Sequence, residues 1–298
     1  MFAKLFSLQG ITAVLWAATF SGILAIMWVF VRQLAAYLHP LEITFFGTFF
    51  GFLFFLPVVF RHGFGVFKTK RVIHHFYRGC VNGMAILAWF VALTLLTLAD
   101  ASALNLLAPL CVSVGAVIFL QEHMGPRRWF ALALGVAGAL VVIRPGFEEV
   151  SLGVGLVMIT VFASAGQRVF AKSLIATDSS TTCVLYLTLF MIPITLAAAV
   201  FVWQWPALEH YPWLILIGAL LSLAHYALMR SLRLADVSAL ESVNFTRLIW
   251  GALFGFLFFA EVPDIFTWIG GFMIISATSY VAHREAMARL AKPTPANI

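Results

Sequence analysis

Arg247 stands about ten residues into an apolar stretch, 237–259, with Asn244 three positions before it and Glu241 six before it. On a helix that spacing keeps the three side chains within about 120° of one face. A guanidinium in the middle of a membrane span costs roughly 2.5–3.5 kcal/mol on translocon scales, so the face that carries it must point inward. Two chemistries fit. Arg247 and Asn244 can receive a carboxylate or phosphate, which the planar fork of arginine binds through two parallel hydrogen bonds. Alternatively, Arg247 neutralises Glu241 or a carboxylate on another helix.

Aromatic groups with polar handles form a second set. Trp89 and His225 are 136 residues apart and lie in the middle of separate apolar segments; Trp16 is embedded in the first segment and Tyr226 follows His225. Such side chains suit a wall that stacks a planar substrate, and equally suit ordinary packing. His225 is also a candidate proton site, since imidazole titrates near neutrality. Asn82, Asn105 and Gln167 are neutral polar residues in apolar segments, able to bind substrate or to bridge helices, bridges being worth about 0.6 kcal/mol each. Pro109 should loosen its helix and free backbone carbonyls for a cavity. The pairs Gly47/Gly51 and Gly251/Gly255 allow close helix approach.

Other chemistries have no residues to perform them. There is no G-x-S-x-G, no H-E-x-x-H, no phosphate-binding G-x4-G-K-[ST] loop and no cluster of embedded carboxylates for a metal. Cys80, Cys111 and Cys183 all fall in apolar segments, an odd number with no metal-binding spacing. Neither an enzyme nor a cofactor is expected, and direct ATP drive within the chain is excluded.

The elements that must position these residues are membrane spans. Of 298 residues, 63% are hydrophobic and only 10% charged, with a mean hydropathy of +1.02. A soluble domain carries roughly a quarter charged residues, so a water-soluble fold is excluded. Continuous apolar runs such as Ile43–Val59 and Leu152–Val169 replace the alternation a β-barrel would show. Taking about 20 residues per span, ten helices are placed at 10–31, 42–60, 79–98, 101–121, 128–143, 152–173, 182–203, 211–232, 237–259 and 265–282. The first run is too long for a cleavable signal. Breakers mark most connections: His39-Pro40, Gly125-Pro126, Pro145-Gly146 and Tyr211-Pro212. Helices 2, 5, 7 and 10 lack embedded charges and are expected at the lipid-facing periphery. Arg168, near a helix end, is expected to snorkel.

With ten spans, 15 of the 18 Lys and Arg fall on the side of both termini; Arg32 and Arg144 lie opposite and Arg247 within a helix. The positive-inside bias makes both termini cytoplasmic in an inner-membrane protein. The net charge of +6 then reflects cytoplasmic loops, and nucleic acid is not an expected partner.

The chain also repeats itself. Leu98–Leu104 recurs as Leu234–Leu240 with six of seven residues identical, Glu122/Trp129 recurs as Glu261/Trp268, and Val29–Leu34 resembles Val169–Leu174. A unit of five helices enters the membrane in opposite senses in successive copies. That inverted architecture lets one midplane site face each side in turn. The expected division is 1–150 for the first five-helix repeat, 151–285 for the second, and 286–298 for a cytoplasmic tail.

Further residues carry a resemblance to a known family. The run Ala103–Leu110 leading to Gln121-Glu122, then Arg128-Trp129, Gly135, Gly138 and Arg144-Pro145, is matched in the second half by Arg247–Gly251, Phe259-Ala260-Glu261, Pro263 and Gly270-Gly271. Together they resemble the ten-helix EamA-type branch of the drug/metabolite transporter superfamily, whose members include exporters of amino acids, aromatic ones among them, and carriers of riboflavin, S-adenosylmethionine and metal-chelating metabolites. The resemblance implies two five-helix halves around a central cavity lined mainly by helices 1, 3, 4, 6, 8 and 9. The expected function is secondary transport of a small-molecule substrate by alternating access, first of all export of an amino acid or related zwitterion or anion. Uptake of a larger metabolite such as a vitamin or nucleoside-like compound is the alternative within this fold. A membrane-embedded enzyme on lipid-linked substrates is the alternative of a different class. Proton coupling is open, and oligomeric state is not legible.

Overall fold

The computed structural model describes residues 8–111, 114, 125–145, 151–235, 240 and 243–291. Within them ten helices follow in order: α1 (Leu8–Leu34), α2 (Pro40–His62), α3 (Val72–Leu95), α4 (Leu98–Asn105), α5 (Pro126–Ile143), α6 (Leu152–Ile175), α7 (Ser180–Ala199), α8 (Tyr211–Leu234), α9 (Thr246–Phe259) and α10 (Ile265–Ala291). Six of these stretches are by length and composition able to cross a membrane alone, and the rest contain shorter apolar helices. The protein is an all-helical, multi-pass membrane fold.

Local chemistry explains most helix starts. Thr97, Ser151 and Ser179 accept backbone N–H groups of the first turns of α4, α6 and α7, satisfying donors that a helix leaves orphaned. At α2 the cap is reciprocal: His39 accepts the Leu41 N–H while Glu42 accepts the His39 N–H at 3.3 Å. Glu42 is otherwise buried, and its second oxygen takes the Gln204 N–H, fixing the α7–α8 connection.

The two halves interlock. α3 packs along α6 as α8 packs along α1; α7 packs on α3 as α2 packs on α8; and the pairs α2/α7, α4/α9 and α5/α10 meet directly. Each relation between unlike helices thus has a counterpart with the halves exchanged. Pro57 in α2 and Pro193 in α7 sit at equivalent places in this scheme. Glycines set the closest approaches. A Cβ on Gly138 would lie 2.8 Å from the Gly270 carbonyl oxygen, and one on Gly51 would lie 2.9 Å from that of Gly218.

Polar ties gather at the two ends. At the end where α1 begins, Arg71 donates to the Ser173 carbonyl and hydroxyl at 2.8 and 2.7 Å, Thr182 to the Val66 carbonyl at 2.8 Å and Tyr186 to the Phe67 carbonyl at 2.9 Å. His75 meets Asp178 at 2.7 Å, and Thr69 donates to the same carboxylate oxygen at 2.8 Å. At the far end Arg144 pairs with Asp264 at 2.8 Å, and Arg32 pairs with Glu261.

Two boundaries depart from expectation. α3 starts at Val72 rather than 79, so the connection expected over 61–78 shrinks to 63–71 and contains a 3-10 turn, Phe64–Phe67. Its first turns are polar yet ordered, because His75 and Arg78 are buried against Asp178 and the Cys183 carbonyl. α4 breaks after Asn105, where a helix over 101–121 was expected. Pro109 has no N–H to give the Asn105 carbonyl, and the chain turns at Leu106 and Leu107 before residues 108–111 resume as helix.

Candidate functional site

A cavity of about 130 Å³ lies in the middle of the bundle. Its wall is drawn from α1, α3, α4, α6, α8 and α9, with Leu240 and Asn244 from just before α9. Among the described residues, no lining residue comes from α2, α5, α7 or α10.

α1 contributes a stripe at Ala17, Phe20, Leu24, Met27 and Trp28, the helical period that presents one face. α3 contributes Asn82, Ala85, Ile86, Trp89 and Phe90 in the same manner. The rings of Trp28 and Trp89 meet with centroids 5.0 Å apart and planes inclined at 57°. They form an apolar wall toward the far end. Toward the end where α1 begins, the lining continues to Arg168 on α6 and to Ser231 and Leu232 in the last turn of α8.

Arg247 enters from α9. It is 8% exposed, its Nη1 lies 3.4 Å from Asn105 Oδ1 on α4, and its guanidinium carbon lies 5.4 Å from the centre of the Phe20 ring. Asn244 lines the same wall. Asn105 is the last residue of α4, immediately before the break at Leu106 and Leu107.

Opposite, α3 and α8 meet through Asn82 and His225. His225 Nδ1 lies 2.9 Å from the Leu221 carbonyl, which can only accept, so Nδ1 carries the proton. In the neutral ring Nε2 is then the acceptor, and it faces the Asn82 amide at 3.4 Å; that amide also contacts Met191 Sδ at 3.2 Å. Gln167 lines the cavity from α6, about two turns beyond Thr160, whose hydroxyl donates to the Ala85 carbonyl at 3.1 Å.

The structure therefore brings Arg247, Asn244, Trp89, His225, Asn82, Asn105 and Gln167 to one cavity. Trp16 and Tyr226 are placed elsewhere: their rings pack edge to face at 6.1 Å and neither lines it. The reason is angular. Trp16 stands one residue off the α1 stripe and Tyr226 one residue from His225, and neighbours in sequence point about 100° apart on a helix. Glu241 lies outside the described residues, as does Glu122. Arg168 also lines the cavity, about two turns before the end of α6. Trp28, Phe20 and Thr160 were not singled out from sequence; the 3.6-residue stripe through Ala17, Phe20 and Leu24 is the signal that points to Trp28.

With donors, amides and indoles converging, the site can hold a ligand with an acidic group at Arg247 and a flat portion against the tryptophans. Known proteins share this architecture. The EamA-like transporter family matches twice, over residues 11–144 and 151–282. An S-adenosylmethionine uptake transporter of Rickettsia felis is 26% identical, over 86% of this chain and 87% of its own. A riboflavin transporter of Rhizobium johnstonii is 29% identical over 82% and 81%, and a pseudopaline exporter of Pseudomonas aeruginosa is 27% identical over 89% and 92%. A crystal structure with 16% sequence identity superposes over 96% of this chain and 98% of its own with a TM-score of 0.60.

Proposed function

The chain belongs to the EamA-like transporter family, and on that premise we propose that its central cavity binds one metabolite and presents it alternately to the two faces of the cytoplasmic membrane. The protein is a multi-pass transporter of a small metabolite rather than an enzyme. The finer reading divides the chain into inverted five-helix halves at 1–150 and 151–285, with a tail at 286–298 and both termini in the cytoplasm. The clustering of 15 of the 18 Lys and Arg on one side supports that orientation.

The observation that carries the site is Arg247, buried at the cavity wall beside Asn105 and Asn244. A guanidinium in this place suits a carboxylate or phosphate, and export of an amino acid or related zwitterion or anion is the first reading. The second is uptake of a larger metabolite, such as a vitamin or nucleoside-like compound. It is favoured by the Trp28–Trp89 wall, which offers stacking area that a small aliphatic amino acid would not use. Coupling to protons would run through His225: a proton taken at Nε2 turns that atom into a donor, and Asn82 must rotate to present its carbonyl oxygen.

Counterflow in proteoliposomes tests this reading. Candidate metabolites are first screened for thermal stabilisation of the purified protein, and vesicles are then preloaded with each stabilising compound. Transient accumulation of labelled compound against its gradient is expected. Binding without counterflow for every stabilising compound would overturn the transport role of this cavity.

A further inference from the structure

One carboxylate at the far end ties three helices together. Glu261 follows α9 in the turn toward α10; one of its oxygens pairs with Arg32 in the last turn of α1, and the other accepts the Leu98 N–H at the start of α4 at 3.0 Å. The Arg32 guanidinium also lies 4.6 Å over the ring of Phe259, the last residue of α9. The side chains of Arg32 and Glu261 are only 22% and 12% exposed. Glu261 is held in place from behind, since its N–H donates to the Gly255 carbonyl at 3.0 Å. Gly255 permits the approach, as a Cβ there would lie 2.8 Å from the Glu261 carboxylate, and Gly251 lets α9 lie on α4, with a Cβ position 2.8 Å from the Leu98 carbonyl.

The position of this cluster relative to the cavity gives it meaning. On α1 the last lining residue is Trp28, and Arg32 stands one turn beyond it, about 6 Å further along the axis. On α4 the lining residue is Asn105, and Leu98 lies about 10 Å further toward the same end. The cavity thus stops below the Arg32–Glu261–Leu98 cluster while continuing to Arg168 on α6 and to the last turn of α8 at the other end. The cluster joins α1 and α4 of the first half to α9 and its turn in the second. A rocking motion of one half against the other that opened the far end would have to pull these groups apart.

We propose that Arg32 and Glu261, with the Leu98 N–H, form the gate that shuts the cavity at the end away from the chain termini. Opening on that side breaks the ion pair and returns both charges to water. This role rests on the alternating-access reading above, but its test needs no substrate. Glu261→Gln keeps an oxygen for Leu98 and removes the charge; Arg32→Gln removes the other charge and leaves the carboxylate on Leu98.

The readout is the labelling rate of a cysteine at Ser164, a cavity position, in a background with Cys80, Cys111 and Cys183 replaced by Ala. A membrane-impermeant thiol reagent is applied separately to each face, using intact cells and inverted vesicles. With the gate intact, labelling is expected from the face of the termini and to be slow from the opposite face. Each substitution should raise the opposite-face rate about fivefold, the factor a partly exposed ion pair is worth in an equilibrium constant, while labelling from the terminal face falls or holds. If Glu261→Gln does not fold, Arg32→Gln decides alone. Unchanged opposite-face rates in the folded variants, or fast opposite-face labelling before any substitution, overturn the gate. Failure of counterflow alongside altered labelling would instead indict the transport reading and leave the gate standing.

Discussion

Arg247 Nη1 stands 3.4 Å from Asn105 Oδ1, joining α9 of the second half to the broken α4 of the first across the wall of the cavity. The contact places the planar guanidinium fork, with Asn105 beside it, on the cavity wall. If a substrate acid binds here, Arg247→Ala removes a charge-assisted bond worth about 1.5–3 kcal/mol. Apparent affinity for the stabilising metabolite should fall roughly 10- to 150-fold, with the protein still inserted and monodisperse. Arg247→Lys should recover only part of it, because a point charge replaces a planar fork. Isothermal titration on the three proteins measures this, and equal affinities would leave Arg247 as structure.

The indole wall separates the two substrate readings. Trp28 and Trp89 meet at 5.0 Å between centroids, and a planar ligand laid on either would lose a contact worth about 0.5–1.5 kcal/mol beyond buried area when that ring is removed. Trp89→Ala should therefore weaken binding of a heterocyclic metabolite about 2- to 13-fold and leave a small aliphatic amino acid nearly unaffected. Competition binding with one ligand of each kind tells them apart. Equal losses for both would mean that Trp89 shapes the cavity without touching the ligand.

Much of the fold is legible in the sequence because lipid imposes one rule, a run of apolar residues per crossing, and because the repeat marks equivalent helices. What the rule misses is polar helix buried by its own partners. His75 and Arg78 read as a loop, yet they continue α3, where Asp178 meets His75 and the Cys183 carbonyl accepts one donor of Arg78. No period in the sequence announces a partner about 100 residues away. The site was partly legible for a related reason. Embedded Arg247, Asn105 and His225 stand out by cost alone, whereas Trp16 and Tyr226 stand out by type but lie off the cavity lining, and Trp28 is revealed only by the stripe it completes. Glu261 was visible as a mark of the repeat; its bond to Arg32 needed the fold.

Close packing of the halves depends on glycines where backbone meets backbone. A Cβ at Gly138 would lie 2.8 Å from the Gly270 carbonyl oxygen and 2.9 Å from Met273 Cβ, neither of them a flexible chain end, while a Cβ at Gly155 meets nothing within 4 Å. Gly138→Val should destabilise the α5/α10 seam by about 1–3 kcal/mol, the usual cost of overpacking, and lower the melting temperature in detergent. Gly155→Ala should leave melting unchanged or raise it slightly, since it only restricts the unfolded chain. Melting followed by tryptophan fluorescence compares them. Tolerance of valine at Gly138 would show that α5 and α10 are further apart than this seam requires.

Orientation is the last expectation that a single experiment can decide. Lys68 and Glu209 are both exposed, the first in the α2–α3 connection and the second just before α8. They lie at opposite ends of the bundle: the first connection is tied to the start of α7 through Val66 and Phe67, and the second to the start of α2 through Gln204 and Glu42. The basic residues gather at the Lys68 end, so that end should face the cytoplasm. Cysteines are placed singly at Lys68 and Glu209, with Cys80, Cys111 and Cys183 replaced. In intact cells an impermeant maleimide should label the cysteine at 209 and spare the one at 68; after permeabilisation both should react. The reversed pattern would put the termini outside. Labelling of both in intact cells would place the two connections on one face, which an alternating path through ten helices forbids, and the inverted repeat would have to be abandoned with it.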